Sequence, residues 1–362
     1  MSFMAKILFS FLTAIIIFSC NRAPEQIIGI KIYDYKGDVE QLAARWVTMG
    51  INTAFVSTSL AADMIFREKM KELDIKVFII FPVFLNPEIL KGDTSLYSIL
   101  NTGEKARQEW VEFVCPSRTG YRNNMIRQLE ILTAELDPDG ISIDFIREFI
   151  YWEKIYPERD PQTIERACFC DSCIHDFVTG QDISIPDSCI TTREKAEWIE
   201  NYFYASWDKY RCGLITSMIS QLSEAAHRVK SELIVNVHIV PWRENEFGGA
   251  NKKIAAQDLE GIAPVTDFIS PMCYSQMLSR DAQWISDVVT DMDNKARGKV
   301  LPSIQVYPYY IAKSFTTDDF RQAVKEALKP PSQGVVFFSW PLFEKDSARM
   351  DVVSEIMNNS SN

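Results

Sequence analysis

Only three histidines occur in 362 residues, His175, His227 and His238, and no H-x-H pair is present. Metal-dependent deacetylases and amidohydrolases draw on such ligands, so that chemistry is disfavoured. No G-x-G-x-x-G follows the first predicted strand, and there is neither a Walker loop nor a G-x-S-x-G elbow. A nucleotide cofactor and an α/β-hydrolase serine therefore have no support. Positive charge is in deficit: 38 Lys+Arg against 49 Asp+Glu give a formal net charge of −11. Such a chain has no electrostatic attraction for nucleic acid or for an anionic membrane surface, and the charge serves solubility. Proline-rich linkers and low-complexity stretches are also missing, so one domain is expected.

Long apolar runs are absent too, with one exception. Lys6 is followed by the run 7–18, which ends at Ser19-Cys20 before the polar Asn21-Arg22. Its length falls short of the ~20 residues of a membrane span but suits a signal peptide. Ile17-Phe18-Ser19-Cys20 resembles a bacterial lipobox. Residues 1–19 are thus expected to be removed, with Cys20 lipidated and 20–26 serving as a tether. Cleavage by the ordinary signal peptidase is the alternative. The expected location is the periplasm, outer membrane or cell surface, with membrane contact through the lipid anchor alone. Seven cysteines remain after Cys20, an odd number that cannot all pair internally.

From residue 27 the pattern repeats a β-rich run, a polar turn and a stretch of helical period. Strands are predicted at 27–35, 52–57, 76–84, 140–147, 233–241, 267–274, 300–307 and 334–340. Helices are predicted at 39–49, 61–73, 120–136, 205–230, 281–295, 317–328 and 347–357. The Thr316-Thr317-Asp318-Asp319 run marks a helix start. Eight such units predict an α/β fold, a (β/α)8 TIM barrel over 27–362. The spacing breaks once: residues 149–202 form a long insertion after the fourth strand, and it carries Cys168-x-Cys170-x-x-Cys173. In a barrel this insertion lies on the C-terminal face, where active sites sit.

Alternation along the fourth strand puts Ile141, Ile143 and Phe145 on one face, and Ser142 and Asp144 on the other. Asp144 is expected inside the barrel near its top, as nucleophile, base or charge stabiliser, or else in a salt bridge with Lys31 or Arg147. The same parity directs Lys31, Tyr33, Asn236, His238, Ser270, Met272, Tyr274, Ser303, Gln305 and Tyr307 inward, with Trp340 closing the eighth strand. A polar, aromatic mouth suits sugar. Glycoside hydrolysis needs a second carboxylate. Glu148 shares Asp144's face but stands ~13 Å further along an extended strand, so Glu153, Glu244 and Glu246 compete with it as proton donor. The cysteine trio has a spacing that could hold a structural zinc, with Cys189 or His175 as fourth ligand; a disulfide plus a free thiol, or three reduced thiols, are the alternatives. No other cofactor is expected.

The run Asp139-Gly140-Ile141-Ser142-Ile143-Asp144-Phe145-Ile146-Arg147 resembles the D-G-I-x-x-D-[YF]-[IV]-R signature of hypothetical glycosyl-hydrolase-like barrel proteins, many of them bacterial lipoproteins. Cys115-Pro116-Ser117 with Tyr121-Arg122, Trp152-Glu153, the cysteine trio with Phe177, and Ser270-Pro271-Met272-x-Tyr274 are similar to further motifs of that group. The resemblance covers residues 110 to 280. It implies a catalytic role for Asp144, with Arg147, Glu153 and Tyr274 lining the site. Where many relatives carry Tyr-Pro or Trp-Pro after the arginine, this chain has Glu148-Phe149.

The resulting expectation is a glycoside hydrolase acting on an extracellular or periplasmic oligo- or polysaccharide. Asp144, Glu153 and Glu148 are its catalytic candidates, and Lys31, Tyr33, Arg147, Trp152, Asn236, His238, Tyr274, Gln305, Tyr307 and Trp340 its substrate-binding candidates. The alternative is a non-catalytic carbohydrate-binding surface lipoprotein.

Overall fold

The computed structural model describes residues 26–360; the expected signal peptide and Cys20 lie outside them. Eight strands form one parallel sheet: β1 (Ile27–Ile32), β2 (Thr53–Val56), β3 (Lys76–Pro82), β4 (Gly140–Asp144), β5 (Ile234–Ile239), β6 (Phe268–Pro271), β7 (Ser303–Gln305) and β8 (Gly334–Phe338). Their order is β6-β5-β4-β3-β2-β1-β8-β7. Parallel bridges from Ile269 to Val300 and from Met272 to Ser303 span the remaining gap and bring the sheet round into a barrel. All eight strands fall where the alternation placed them, each shorter than predicted at its C-terminal end.

Outward-facing side chains such as Ile30, Ile141, Val237 and Ile269 pack into the main hydrophobic core against the surrounding helices. The helix Val39–Thr48 is started by Asp38, whose carboxylate accepts from the Glu40 and Gln41 amides. Thr316 begins the helix Thr317–Ala327 with a capping box: its hydroxyl accepts from Asp319 N at 3.1 Å, and Asp319 returns the bond at 2.8 Å. That start was legible in the sequence. A second capping box was not: Thr191 and Glu194 begin a helix that runs Thr192–Val229, with a kink at Phe203. The helix predicted to begin near 205 therefore starts more than a turn earlier, inside the expected insertion.

The barrel interior is layered. At the N-terminal end Phe55, Phe78, Ile80, Leu301 and Val336 form a separate apolar cluster. Gly29 and Gly140 make room for it, since a Cβ at Gly140 would come within 2.7 Å of the Phe78 ring. Above lies a polar layer in which Asn236 donates to Ser142 (2.8 Å), Ser270 donates to Asn236 (2.7 Å) and His238 Nε2 meets Ser142 Oγ (2.9 Å). Ser142, Asn236 and Ser270 satisfy one another, which is what makes a polar layer tolerable in a core, while His238 Nδ1 is left without a partner. The third layer opens on the C-terminal face, and two excursions wall it. One is residues 149–191 after β4. The other, unforeseen from sequence, is residues 83–118 after β3, which contains a small antiparallel hairpin, Arg107–Gln108 with Val111–Glu112. Among the described residues, no helix is long and apolar enough to cross a membrane.

Candidate active site

The third layer is a cleft of about 290 Å³ lined by Lys31, Tyr33, Leu85, Trp110, Asp144, Phe145, Trp152, Glu153, Met272, Tyr274, Met277, Tyr309, Tyr310 and Phe338. Asp144 is the last residue of β4 and only 6% exposed. Directly after it the chain turns: Phe145 adopts a left-handed φ of 48° and its amide donates to Asp144 Oδ1 at 2.7 Å. This turn ends the strand, so the parity argument stops applying at Phe145. It also fixes the carboxylate at the strand tip.

Glu153 reaches the same cleft from a 3-10 turn, Trp152–Lys154, and is 8% exposed. Burial pushes its pKa up to about 7, against the pull of the Arg147 guanidinium, and Asp144 adds to the rise. Its Oε2 is buried with no hydrogen-bond partner. A carboxyl group held protonated near neutral pH, facing a cleft, is suited to donating a proton.

Arg147 lies behind the wall, its guanidinium 4.7 Å from the Phe113 ring centroid and donating to the Glu148 carbonyl at 3.2 Å. Burial lowers its pKa to about 10, while Glu153 and Asp144 oppose the fall. It acts on both carboxylates without itself lining the cleft. Lys31 rises from β1 into the cleft floor, with its ammonium 5.7 Å from the Phe338 ring. Burial brings its pKa down to about 8, and the neighbouring Asp144 limits the drop. No salt bridge with Asp144 closes within 4.0 Å, so the two charges share the floor without neutralising each other directly. Trp152, Tyr274 and Phe338 form the inner wall, with ring centroids 5.8 Å apart for Trp152–Tyr274 and 5.1 Å for the stacked Tyr274–Phe338 pair.

Of the residues proposed from sequence, Asp144, Glu153, Lys31, Tyr33, Trp152 and Tyr274 converge here. Others do not. Glu148 turns away from the cleft because the backbone leaves the strand after Asp144; its amide binds Ala255 O at 2.9 Å. Its buried carboxylate is raised to about 7 by desolvation, opposed by Arg211 and assisted by Cys170. Asn236 and His238 belong to the polar layer below, where burial, assisted by Lys31, lowers His238 to about 3 and leaves it neutral. Gln305 is consumed by bonds to Met277 N, Gln276 and the Tyr307 carbonyl. Tyr307 lies outside, under Arg349 and Lys345. Trp340 is fully buried on Trp46, because the chain enters the helix Trp340–Phe343 straight after β8 and leaves Phe338 as the strand's contribution. The remaining acid candidates are occupied: Glu246 pairs with Arg280 at 2.5 Å and Glu244 with Lys295 at 2.5 Å.

Sequence reasoning missed Trp110, Tyr309 and Tyr310, which sit in loops with no periodicity to place them. Phe338 could have been found, since it shares parity with Val336.

The cysteine trio closes on a different fourth member. The sulfurs of Cys115, Cys168, Cys170 and Cys173 are all buried and lie within 4.8 Å of one another, with Cys115 3.4 Å from Cys173 and 3.6 Å from Cys170. Cys189 and His175, proposed from spacing, lie elsewhere; His175 is exposed on the helix Asp171–Gln181. All seven cysteines among the described residues are free. Hydrogen bonds from Cys115, Cys168 and Cys173 hold the Cys170 thiol far below its usual value. The cluster joins the two excursions that wall the cleft, since Cys115 comes from one and the trio from the other.

No protein-family model matches the chain, and no curated protein matches it. Solved structures do. The PgaB (BpsB) glycoside hydrolase domain from Bordetella bronchiseptica superposes with a TM-score of 0.67 at 12% identity, over 91% of this chain and 99% of that one. A β-galactosidase from Marinomonas ef1 gives 0.64 at 10% identity over 92% of this chain, and one from Halorubrum lacusprofundi 0.61 at 12% over 86%. The chain spans 59% and 52% of those two β-galactosidases. At such identities the likeness is one of fold, and it agrees with the strand order and closure described above: the chain is a (β/α)8 barrel.

Proposed function

We propose that the protein is a glycoside hydrolase acting on an oligo- or polysaccharide outside the cytoplasm. The observation that carries this reading is that two carboxyl groups from separate segments, Asp144 and Glu153, line one aromatic cleft at the C-terminal face of the barrel. Glu153, kept protonated by burial, gives its proton to the glycosidic oxygen as the bond breaks. Asp144 meets the positive charge that develops at the anomeric carbon, either by attacking it or by activating a water. Trp152, Tyr274 and Phe338 offer apolar ring faces to the C–H face of a sugar. A screen of aryl glycosides and polysaccharides, with Asp144→Asn as control, tests the assignment; a variant that cleaves at the wild-type rate would sink it.

The resemblance of residues 17–20 to a lipobox supports export and tethering through Cys20. Labelling by a tagged fatty acid that persists in Cys20→Ser would contradict this.

The four-cysteine cluster fits a structural metal. In a tetrahedral zinc–thiolate site with bonds near 2.3 Å, neighbouring sulfurs stand about 3.8 Å apart. The observed contacts run from 3.4 Å to at most 4.8 Å. Four protein ligands leave no open position, so the metal would brace the two excursions and take no part in the reaction. Elemental analysis of the purified chain is expected to find about one zinc per molecule, lost in Cys115→Ser. A metal-free chain with two of these sulfurs joined as a disulfide would refute it.

A further inference from the structure

Two large aromatic side chains at the cleft remain unused by the reaction described. Trp110 is 46% exposed and Tyr310 45%, although both line the cleft. Exposed aromatic rings are ordinarily mobile, yet these are held. Trp110 Nε1–H donates to the Tyr151 hydroxyl at 3.1 Å, and that hydroxyl lies 3.2 Å from the Tyr310 hydroxyl. The Trp110 ring also meets the rings of Phe145 and Tyr151 edge-on, at centroid distances of 6.2 Å and 6.0 Å.

The backbone contributes as well. Glu109, just before Trp110 at the tip of the hairpin, has φ 53°, and Tyr310 has φ 58°. Both are left-handed conformations that residues with side chains adopt at a cost, and such conformations concentrate at ligand clamps. Glu109 is fixed in turn: its carboxylate accepts from Tyr151 and pairs with Lys154. Two loops distant in sequence are thus locked around Tyr151 to hold two exposed rings at one opening.

We propose that Trp110 and Tyr310 form a stacking subsite for a second sugar ring at the opening of the cleft. The two rings stand beside both carboxylate-bearing segments, since Trp110 meets Phe145, directly after Asp144, and Tyr151, two residues before Glu153. Trp and Tyr combine an apolar face with a polar edge, which matches a pyranose with its C–H face and equatorial hydroxyls. The substrate is then a chain of at least two sugars. This inference rests on the carbohydrate reading and adds to it the length of chain required.

The test uses the otherwise intact chain carrying Asp144→Asn, so that ligands survive. Chito-, cello- and galacto-oligosaccharides of one to four units are titrated while tryptophan fluorescence is followed. Trp110 is the exposed tryptophan among the described residues, so its emission is expected to change on binding. Affinity should rise about tenfold or more between one unit and two or three, equivalent to about 1.4 kcal/mol. Adding Trp110→Ala should abolish the length dependence while Trp152, which also lines the cleft, still reports binding, whereas Trp110→Phe, which keeps a ring, should retain most of the length dependence. Equal affinity for one and three units overturns the subsite and leaves the carbohydrate reading intact, as does a length dependence unchanged by both Trp110→Ala and Tyr310→Ala. Absence of binding to every sugar, together with no turnover of aryl glycosides by the wild type, overturns both.

Discussion

The Asp144→Asn chain should fold normally and lose turnover by on the order of a thousandfold, the scale of removing a group that acts on the reacting atoms. Folding should survive because the residue's structural contact is small. The bond it accepts, from Phe145 N at 2.7 Å, can still be accepted by the asparagine amide oxygen. What the substitution removes is the negative charge beneath the aromatic wall. With Lys31 and Arg147 left behind, the floor of the cleft becomes positive and opposes the cationic character of the sugar as its bond breaks. Unchanged unfolding in denaturant with lost hydrolysis is the expected pair of results. Lost hydrolysis with lost folding would assign Asp144 to the scaffold instead.

A second large effect should appear in Glu153→Gln, and it has two opposite parts. Activity on substrates with poor leaving groups should fall by about a hundredfold or more, as a proton donor is removed. Stability should move the other way. The folded-state pKa of Glu153 is raised from 4.5 to about 7, so folding favours the protonated form. The cost of ionising it is absent below pH 4.5, grows as pH rises, and is fully present above about pH 7. A shift of that size is worth roughly 3 kcal/mol. Glutamine carries no charge, so the variant should match wild type near pH 4.5 and be more stable by up to that amount at pH 8. Glu148→Gln is the control for activity. Glu148 is as buried and as raised, but it does not line the cleft. Its variant should retain turnover. Urea unfolding at the two pH values, beside assays of both variants, checks every part.

The scaffold was legible because barrel strands alternate and helices repeat, and both signals are local. Ile141, Ile143, Val235 and Val237 declare an outward face, and Asp144 stands out because its position breaks an apolar pattern. The choice between Glu148 and Glu153 was not legible. It turned on one left-handed residue, Phe145, and nothing in a phenylalanine announces a positive φ. Asn236 and His238 were assigned to the right face but to the wrong depth. Parity says which side of a strand a residue occupies, whereas the height at which the cleft opens depends on how the Phe55–Phe78 cluster and the polar layer stack. Trp110 and Tyr310 depend on loop closure around Tyr151. Cys115 as fourth member of the cluster needed a contact across more than 50 residues that the local spacing of the trio could not supply.

The central claim is that Asp144 and a neutral Glu153 act together on a sugar held in this cleft. It is tested most directly by the pH dependence of kcat/KM for an aryl glycoside with a poor leaving group, compared between wild type and Glu153→Gln. Wild type should show an alkaline limb near pH 7, where Glu153 gives up its proton. In Glu153→Gln the residual rate should lose that limb. A limb that stays in place in the variant would contradict the assignment of the proton donor and, with it, the account of the cleft.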